Sequence, residues 1–224
     1  MSDVSVVITS FNRKELLQRT IESFNKFNTY PISRFIIIED SGNKNMHGWL
    51  LKYCADTNIE LFLNETNIGL IESIDKAYSE VKTKYVFHTE DDYLFYKPGF
   101  IEKSLEILEA EENIMQVYIR PASDSGNPVE DKIYNIGESS YRLFGNTTEG
   151  FWHGFCFQCG LRKMSAYDKI KPFVQWSDKK DALSVRECKI GQAYYDLGYR
   201  VAVLPEGYAK HTGRNRSTCG NFNI

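Results

Sequence analysis

Lys84-Tyr85-Val86-Phe87-His88-Thr89-Glu90-Asp91-Asp92-Tyr93-Leu94-Phe95 carries a short apolar run straight into three adjacent carboxylates. The apolar part reads as a buried strand. Neighbouring carboxylates repel one another, so such a cluster sits either beside a cation that offsets its charge or in a solvated acidic turn. Its place at the end of a strand favours the first reading, because open α/β sheets take their ligands outside the carboxyl ends of the strands.

Working outward, the same arrangement recurs. Val4 to Ile8 is a β-rich stretch followed by Thr9-Ser10-Phe11-Asn12-Arg13-Lys14-Glu15, in which Asn12 and Glu15 stand at the spacing of a helix N-cap and its capping-box partner. Leu17, Ile21 and Phe24 then recur at helical spacing. Arg34 to Glu39 is a second strand, ending at Asp40-Ser41-Gly42; Asp40 can either hydrogen-bond a nucleotide ribose or base or simply shape an Asx turn. Met46, Trp49, Leu50 and Tyr53 trace a helix, Ile59 to Leu63 a third strand, and Asn64 to Gly69 a loop before the helix of Ile71, Ile74 and Tyr78. Past the acidic stretch come a helix with Ile101, Leu105 and Leu108 and a strand from Ile114 to Ile119. Strands alternating with helices this regularly predict a mostly parallel sheet covered on both faces, an α/β fold with a nucleotide-binding, Rossmann-like first half.

From Pro121 to Gly150 the periodicity fades into loops and short hairpins. Phe151 to Phe155 reads as a strand returning to the sheet edge, Met164 to Ile170 as a short helix, Ser184 to Leu197 as a longer one stopped by Gly198, and Tyr199 to Pro205 as the last strand. His88, inside a strand, reads as a hydrogen-bonded core imidazole. Cys156-Phe157-Gln158-Cys159 has the spacing of a metal or redox pair but lacks a second pair to match it, and it lies in a strand-like run.

The 224 residues suffice for one domain, here divided at residue 119 into a nucleotide-binding half and a half carrying the acceptor site and the tail. A net charge of −3 argues against nucleic acid as a partner. No apolar run approaches a membrane span and no leader is evident, which leaves peripheral membrane contact open; with an odd count of 5 scattered cysteines, reduced thiols and a cytoplasmic location are the expectation.

The order of features resembles the family 2 glycosyltransferases of the GT-A fold. The resemblance is carried by Val6-Val7-Ile8-Thr9-Ser10-Phe11-Asn12-Arg13, Ile38-Glu39-Asp40-Ser41-Gly42, Asn67-Ile68-Gly69 and Tyr85 to Asp92, and it covers roughly the first 110 residues. It implies a nucleoside diphosphate sugar donor held by Thr9, Phe11, Arg13, Asp40, Asn67, Gly69, Glu90 and Asp91, with uridine and guanosine sugars both compatible and uridine preferred. It also implies Mn²⁺ or Mg²⁺ at Asp92, with Glu90 nearer the ribose or a metal-bound water and Asp91 able to turn away and shape the turn. His211 would complete the metal site, and Arg214 and Arg216 either cover the diphosphate or form a solvated basic end. Arg186-Glu187, ahead of Gly198-Tyr199-Arg200, falls where relatives carry an acidic pair. Only the second position keeps a carboxylate here, so Glu187 is the candidate base. The metal motif departs as well, reading Glu-Asp-Asp where many relatives have Asp-x-Asp. Trp152, His153 and Trp176 are the aromatic candidates for the side that takes a glycan or other hydroxyl acceptor.

The implied reaction is transfer of one sugar with inversion. Two other classes compete. A nucleotidyltransferase would use similar carboxylates, but it typically needs a glycine-rich phosphate loop, and Thr9 to Lys14 holds no glycine. A non-catalytic nucleotide-sugar or glycan-binding module would lack the base or the metal carboxylates, and candidates for both are present.

Overall fold

Every residue of Val4–Ser10 is buried, so this strand is covered on both faces and sits inside a sheet. The computed structural model describes residues 2–124, 128–145, 152–176 and 178–213. In chain order the elements are β1 (Val4–Ser10), α1 (Lys14–Phe27), β2 (Arg34–Glu39), α2 (Lys44–Tyr53), β3 (Ile59–Leu63), α3 (Leu70–Ser79), β4 (Tyr85–Glu90), β5 (Tyr93–Phe95) and α4 (Phe100–Ala110). They continue with β6 (Ile114–Tyr118), β7 (Tyr134–Ile136), β8 (Ser139–Leu143), β9 (Gly160–Lys163), α5 (Met164–Ile170), α6 (Leu183–Asp196), β10 (Arg200–Val203) and β11 (Ala209–His211).

Among the described residues nine strands form one sheet in the order β3-β2-β1-β4-β9-β6-β10-β8-β7, and β11 pairs with β5 in a separate ribbon. The run β3-β2-β1-β4 is parallel throughout, as is β6 with β10. Between these two parallel blocks lies β9, antiparallel to both β4 and β6. The predicted α/β fold with a mixed, mostly parallel sheet is thus observed. The side-chain period of two sends Val6 and Ile8 to one core and Val7 to the other. Leu17, Ile21 and Phe24 of α1 and Ile101 and Leu108 of α4 fill the first core; Ile71, Ile74 and Tyr78 of α3 and Ile190 and Tyr194 of α6 fill the second. Phe24 stands at the centre of four ring contacts between 5.3 and 5.7 Å and is almost wholly buried, a contribution of about 1.5–3 kcal/mol.

Two local expectations fail for physical reasons. The strand that returns to the sheet is Gly160–Lys163, not Phe151 to Phe155, and it enters the middle of the sheet rather than its edge. Residues 152–159 are irregular; Phe155, Cys156 and Phe157 all lie in the second core, with the two rings 5.1 Å apart, so packing and not a ladder places them. At Gly160 a Cβ would run into the Val117 carbonyl, so the close crossing to β6 needs glycine. The Asn12–Glu15 capping box is also absent. The N-cap of α1 is Arg13, with no side-chain cap bond, while Asn12 takes a left-handed φ of 52° and donates its N–H to Glu39 Oε1 (2.8 Å). The chain at this turn is shaped by acids from neighbouring strands.

Candidate active site

β4 ends at Glu90, and the turn Asp91-Asp92 sends the chain into β5, so the three acids meet at the carboxyl edge of the sheet beside the end of β1. Each does something different. Asp91 has no exposed surface; its Oδ2 accepts from the Ser10 hydroxyl (3.0 Å), the Phe11 N–H (3.1 Å) and Arg13 Nε (3.2 Å), and the Arg13 guanidinium also pairs with Oδ1. Burial pushes its carboxyl up to about 6 against the pull of Arg13, which leaves it ionised at neutral pH. Asp91 is a bracket that ties the end of β1 to the acidic turn.

Asp92 faces the other way. Its Oδ2 accepts from Arg13 NH1 (2.7 Å) and lies 3.1 Å from His211 Nε2, while its backbone carbonyl accepts from the N–H and hydroxyl of Thr212 (2.8 and 2.9 Å). The antiparallel register of β11 on β5, with His211 opposite Tyr93, is what delivers His211 to this acid from more than a hundred residues away. Burial pushes Asp92 up, but the His211 hydrogen bond and the Arg13 charge outweigh it and leave the carboxyl below the usual range. Glu90 goes the opposite way. Burial, then the charges of Asp92, Glu187 and Asp91, push it up to about 8, with Arg13 opposing.

Glu187 comes from the first half of α6, and its charge opposes that of Glu90. Its Oε1 accepts from the Phe157 N–H at 2.7 Å. Burial raises it to about 7, moderated by that N–H and by the Arg162 charge. A buried carboxylate of this strength suits a general base at neutral pH.

Glu90, Asp92, Arg13 and His211 open on a cavity of about 440 Å³ whose lining also takes in Thr9, Ser10, Phe11, Ile38, Asp40, Asn67, Gly69, Leu70, Ser73 and Leu183; Glu187, whose charge acts on Glu90, is not part of that lining. Asp40 forms part of the wall and also holds the loop beside it. Its oxygens accept from Asn64 Nδ2 (2.8 Å), the Ile68 N–H (2.9 Å) and the Gly69 N–H (2.9 Å). The fold and the cavity's position match the ligand-binding crevice of open α/β sheets.

The profile of glycosyl transferase family 2 matches residues 5–171, three quarters of the chain. The chain belongs to glycosyl transferase family 2. Among curated relatives, the β-1,4 N-acetylgalactosaminyltransferase 1 of Rattus norvegicus is 28% identical over 106 residues, and that of Mus musculus is 27% identical over the same length. The match takes in 47% of this chain and 18% of each relative, so the chain spans about a fifth of their length. Among solved structures, the mannosyltransferase PcManGT of Pyrobaculum calidifontis, in complex with GDP-Man and Mn²⁺, superposes with a TM-score of 0.64 at 12% identity, covering 92% of this chain and 58% of that one. TarS 1-349 of S. aureus gives 0.65 at 12% identity, covering 95% and 61%. At these identities the likeness is one of fold, and the fold is that of GT-A glycosyltransferases.

In this family 2 glycosyltransferase domain, every residue assigned from sequence to the donor or the metal lines the cavity, with three exceptions. Asp91 lies beneath it as a bracket. Arg214 and Arg216 lie outside the described residues. The three aromatic acceptor candidates are not among the residues lining the cavity. Trp152 packs edge-on against Phe144 at 5.2 Å; His153 is stacked on Tyr195 (3.9 Å) and bonded to Gln192 Oε1 (2.8 Å) on the later part of α6; Trp176 donates its Nε1–H to the Ile170 carbonyl (2.6 Å) and is 40% exposed. His88 is a core imidazole as expected, but neither ring nitrogen has a hydrogen-bond partner, and burial holds it well below the usual histidine range.

Sequence reading missed two organisers. Glu39, fully buried, accepts from the Asn12 N–H, from the Ser41 N–H and hydroxyl, and from His47 Nε2 (2.9 Å). A carboxylate closing an apolar strand directly before Asp40 was the available signal. Arg186 pairs with Glu72 Oε1 of α3 at 3.2 Å, and Lys179 reaches the same oxygen at 3.4 Å. The pair joins α6 to α3, whose first turn lines the cavity.

For a divalent cation the donor set is Asp92 and His211. No cluster of three or more such side chains occurs among the described residues. Asp92 Oδ1 is buried with no hydrogen-bond partner, and a Cβ at position 213 would run into Asp92 Oδ2, so the close approach of the chain to this carboxylate needs glycine there. One carboxylate and one imidazole, completed by diphosphate oxygens and water, fit Mn²⁺ or Mg²⁺. Among the described residues no helix is long and apolar enough to cross a membrane.

Proposed function

We propose that the domain moves one sugar from a nucleoside diphosphate sugar, a uridine sugar by preference, to a hydroxyl of a glycan or glycoconjugate, with inversion at the anomeric carbon. The observation that carries this is the meeting of Asp92, His211 and Glu90 on one side of a single cavity, with the charge of Glu187 of α6 bearing on Glu90. The relatives lend chemical support: one is an N-acetylgalactosaminyltransferase by name, one solved neighbour holds GDP-Man with Mn²⁺, and TarS 1-349 has been solved with UDP.

Thr9, Phe11, Asp40, Asn67 and Gly69 form the wall against which the nucleoside lies, with Arg13 directed at the diphosphate. Asp92 and His211 would hold Mn²⁺ or Mg²⁺, which would neutralise charge on the departing diphosphate. The acceptor oxygen forms its bond to the anomeric carbon as the bond from that carbon to the diphosphate oxygen breaks. The hydroxyl proton passes to the Glu187 carboxylate, and the electron pair leaves with the nucleoside diphosphate. Attack opposite the leaving group inverts configuration. Arg214 and Arg216 are assigned to covering the diphosphate from the tail, and the acceptor to the side of Trp152, His153 and Trp176.

The test is hydrolysis or transfer with a panel of UDP-, GDP-, TDP- and CDP-sugars, with and without Mn²⁺. Metal-dependent turnover of one nucleotide's sugars, giving the inverted anomer by NMR, is the expected result. A retained anomer would remove the single-displacement chemistry, and release of pyrophosphate from a nucleoside triphosphate would point to nucleotidyl transfer instead.

A further inference from the structure

Cys156-Phe157-Gln158-Cys159 has no part in the chemistry above, and its thiols offer none: burial pushes both up to about 12, so neither is a thiolate at neutral pH. What the segment offers is its main chain. The Cys156 carbonyl accepts from Arg162 NH2 (2.7 Å) and Gln116 Nε2 (3.1 Å), and the Gln158 carbonyl accepts from the same Arg162 nitrogen (2.9 Å). The Gln158 side chain accepts from the Tyr118 hydroxyl (2.7 Å) and Arg120 NH1 (2.5 Å). Between these anchored residues, the Phe157 N–H donates to Glu187.

Arg162 organises the clamp. It is 4% exposed, its NH1 donates to the Tyr78 hydroxyl (2.6 Å), and its guanidinium carbon lies 5.9 Å from the rings of both Phe155 and Phe157. A planar, forked donor that grips the carbonyls on either side of one residue fixes the direction of the N–H between them. We infer that Arg162 is a positioning residue for the catalytic base: by holding the carbonyls of Cys156 and Gln158 it aims the Phe157 N–H at the Glu187 carboxylate and sets where that carboxylate stands against Glu90. The inference rests on Glu187 being the base. The charged and titratable groups that bear on Glu187 are Glu90 of β4, the Cys156 and Cys188 thiols, and Arg162 of β9, whose cation helps keep the carboxylate ionised.

The experiment follows Glu187 directly as well as through turnover. Carboxyl-labelled glutamate in the full chain is titrated by ¹³C NMR, with Glu187→Gln identifying the signal, in the wild type, Arg162→Met, Arg162→Lys and Gln116→Leu. In Arg162→Met the Glu187 midpoint is expected to rise by roughly half a pH unit or more, since a favourable charge is gone. Its kcat should fall by about ten- to a hundredfold, with the donor KM within about twofold of wild type, because a displaced base harms the chemical step and not donor binding. Arg162→Lys keeps a charge without the fork, so its kcat should fall while the midpoint stays within about 0.3 of wild type. Gln116→Leu removes the weaker anchor and should lower kcat a few-fold by the same route. These two milder variants, expected to fold, decide the matter even where Arg162→Met does not. A folded Arg162→Met with the wild-type midpoint and kcat, or Arg162→Lys and Gln116→Leu with undiminished kcat, would overturn the inference. An NMR midpoint that moves in Arg162→Met, in a chain that transfers no sugar, would uphold the clamp and remove the proposed activity instead.

Discussion

The strand side and the helix side of the candidate site are built by different means. On the side of β1, β2 and β4, acids at the ends of parallel strands accept from main-chain N–H groups of neighbouring turns: Asp91 from Phe11, Glu39 from Asn12 and Ser41, Asp40 from Ile68 and Gly69. Regular strands place the acids, and the acids then place the loops. On the side of α6 the order is reversed. An irregular segment, 155–159, is pinned by buried arginines and a glutamine, and it is this segment's N–H that holds Glu187. The first side is preorganised by the sheet; the second depends on side-chain clamps, and burial raises its acid, Glu187, to about 7.

The sharpest way to separate the two sides is to disable one and ask whether the other still works. Glu187→Gln should lower the transfer rate by about 10²–10⁴-fold while metal-dependent binding of the nucleoside diphosphate, measured by calorimetry, stays within about twofold. A parallel loss of binding would join what is here separated. Asp91→Ala attacks the other side. It strips Arg13 of a buried partner and leaves the Phe11 N–H and Ser10 hydroxyl unpaired, so urea unfolding should show a loss of about 3–5 kcal/mol. An unchanged midpoint would deny Asp91 its bracketing role.

A smaller effect comes from pH. Glu187 works in its ionised form, so kcat should fall as pH drops through about 7 and level off above it. The same raised value means the folded chain keeps a proton that the unfolded chain loses above about 4.5, so this group's contribution to stability declines as pH rises from there to about 7. Glu187→Gln should abolish that decline in a pH series of denaturant midpoints. The smallest change is expected for Arg186→Met, which loosens the tie from α6 to Glu72. A loss of about 1–3 kcal/mol in stability, with nucleotide binding intact, fits a wall contact, whereas a loss confined to turnover would place Arg186 in the chemistry.

The same contrast explains what the sequence disclosed. Strands β1 to β4 were legible because short β-rich runs of five to seven residues end in polar turn residues, with acids closing β2 and β4. Asp92, Glu90 and Asp40 follow from their place at strand ends. His211 came from family resemblance, since nothing local indicates that β11 will pair with β5. β9 stayed hidden because Gly-Leu-Arg-Lys is short and half basic, and its buried arginine is satisfied by carbonyls that no hydropathy pattern registers. Glu187 was found, but the Phe157 N–H that holds it belongs to a main chain whose shape is set by contacts far apart in sequence. The aromatic acceptor candidates were chosen by residue type and by their place in the second half, and two of the three are engaged with neighbouring rings.

Calorimetry of UDP, GDP, TDP and CDP against the wild type and Asp92→Asn, with and without Mn²⁺, tests the central claim most directly. One nucleotide should bind the wild type tightly only with the metal, and Asp92→Asn should lose that metal dependence. No binding of any nucleotide to the folded wild type, or identical metal dependence in the variant, would contradict the assignment of this cavity to a nucleoside diphosphate sugar.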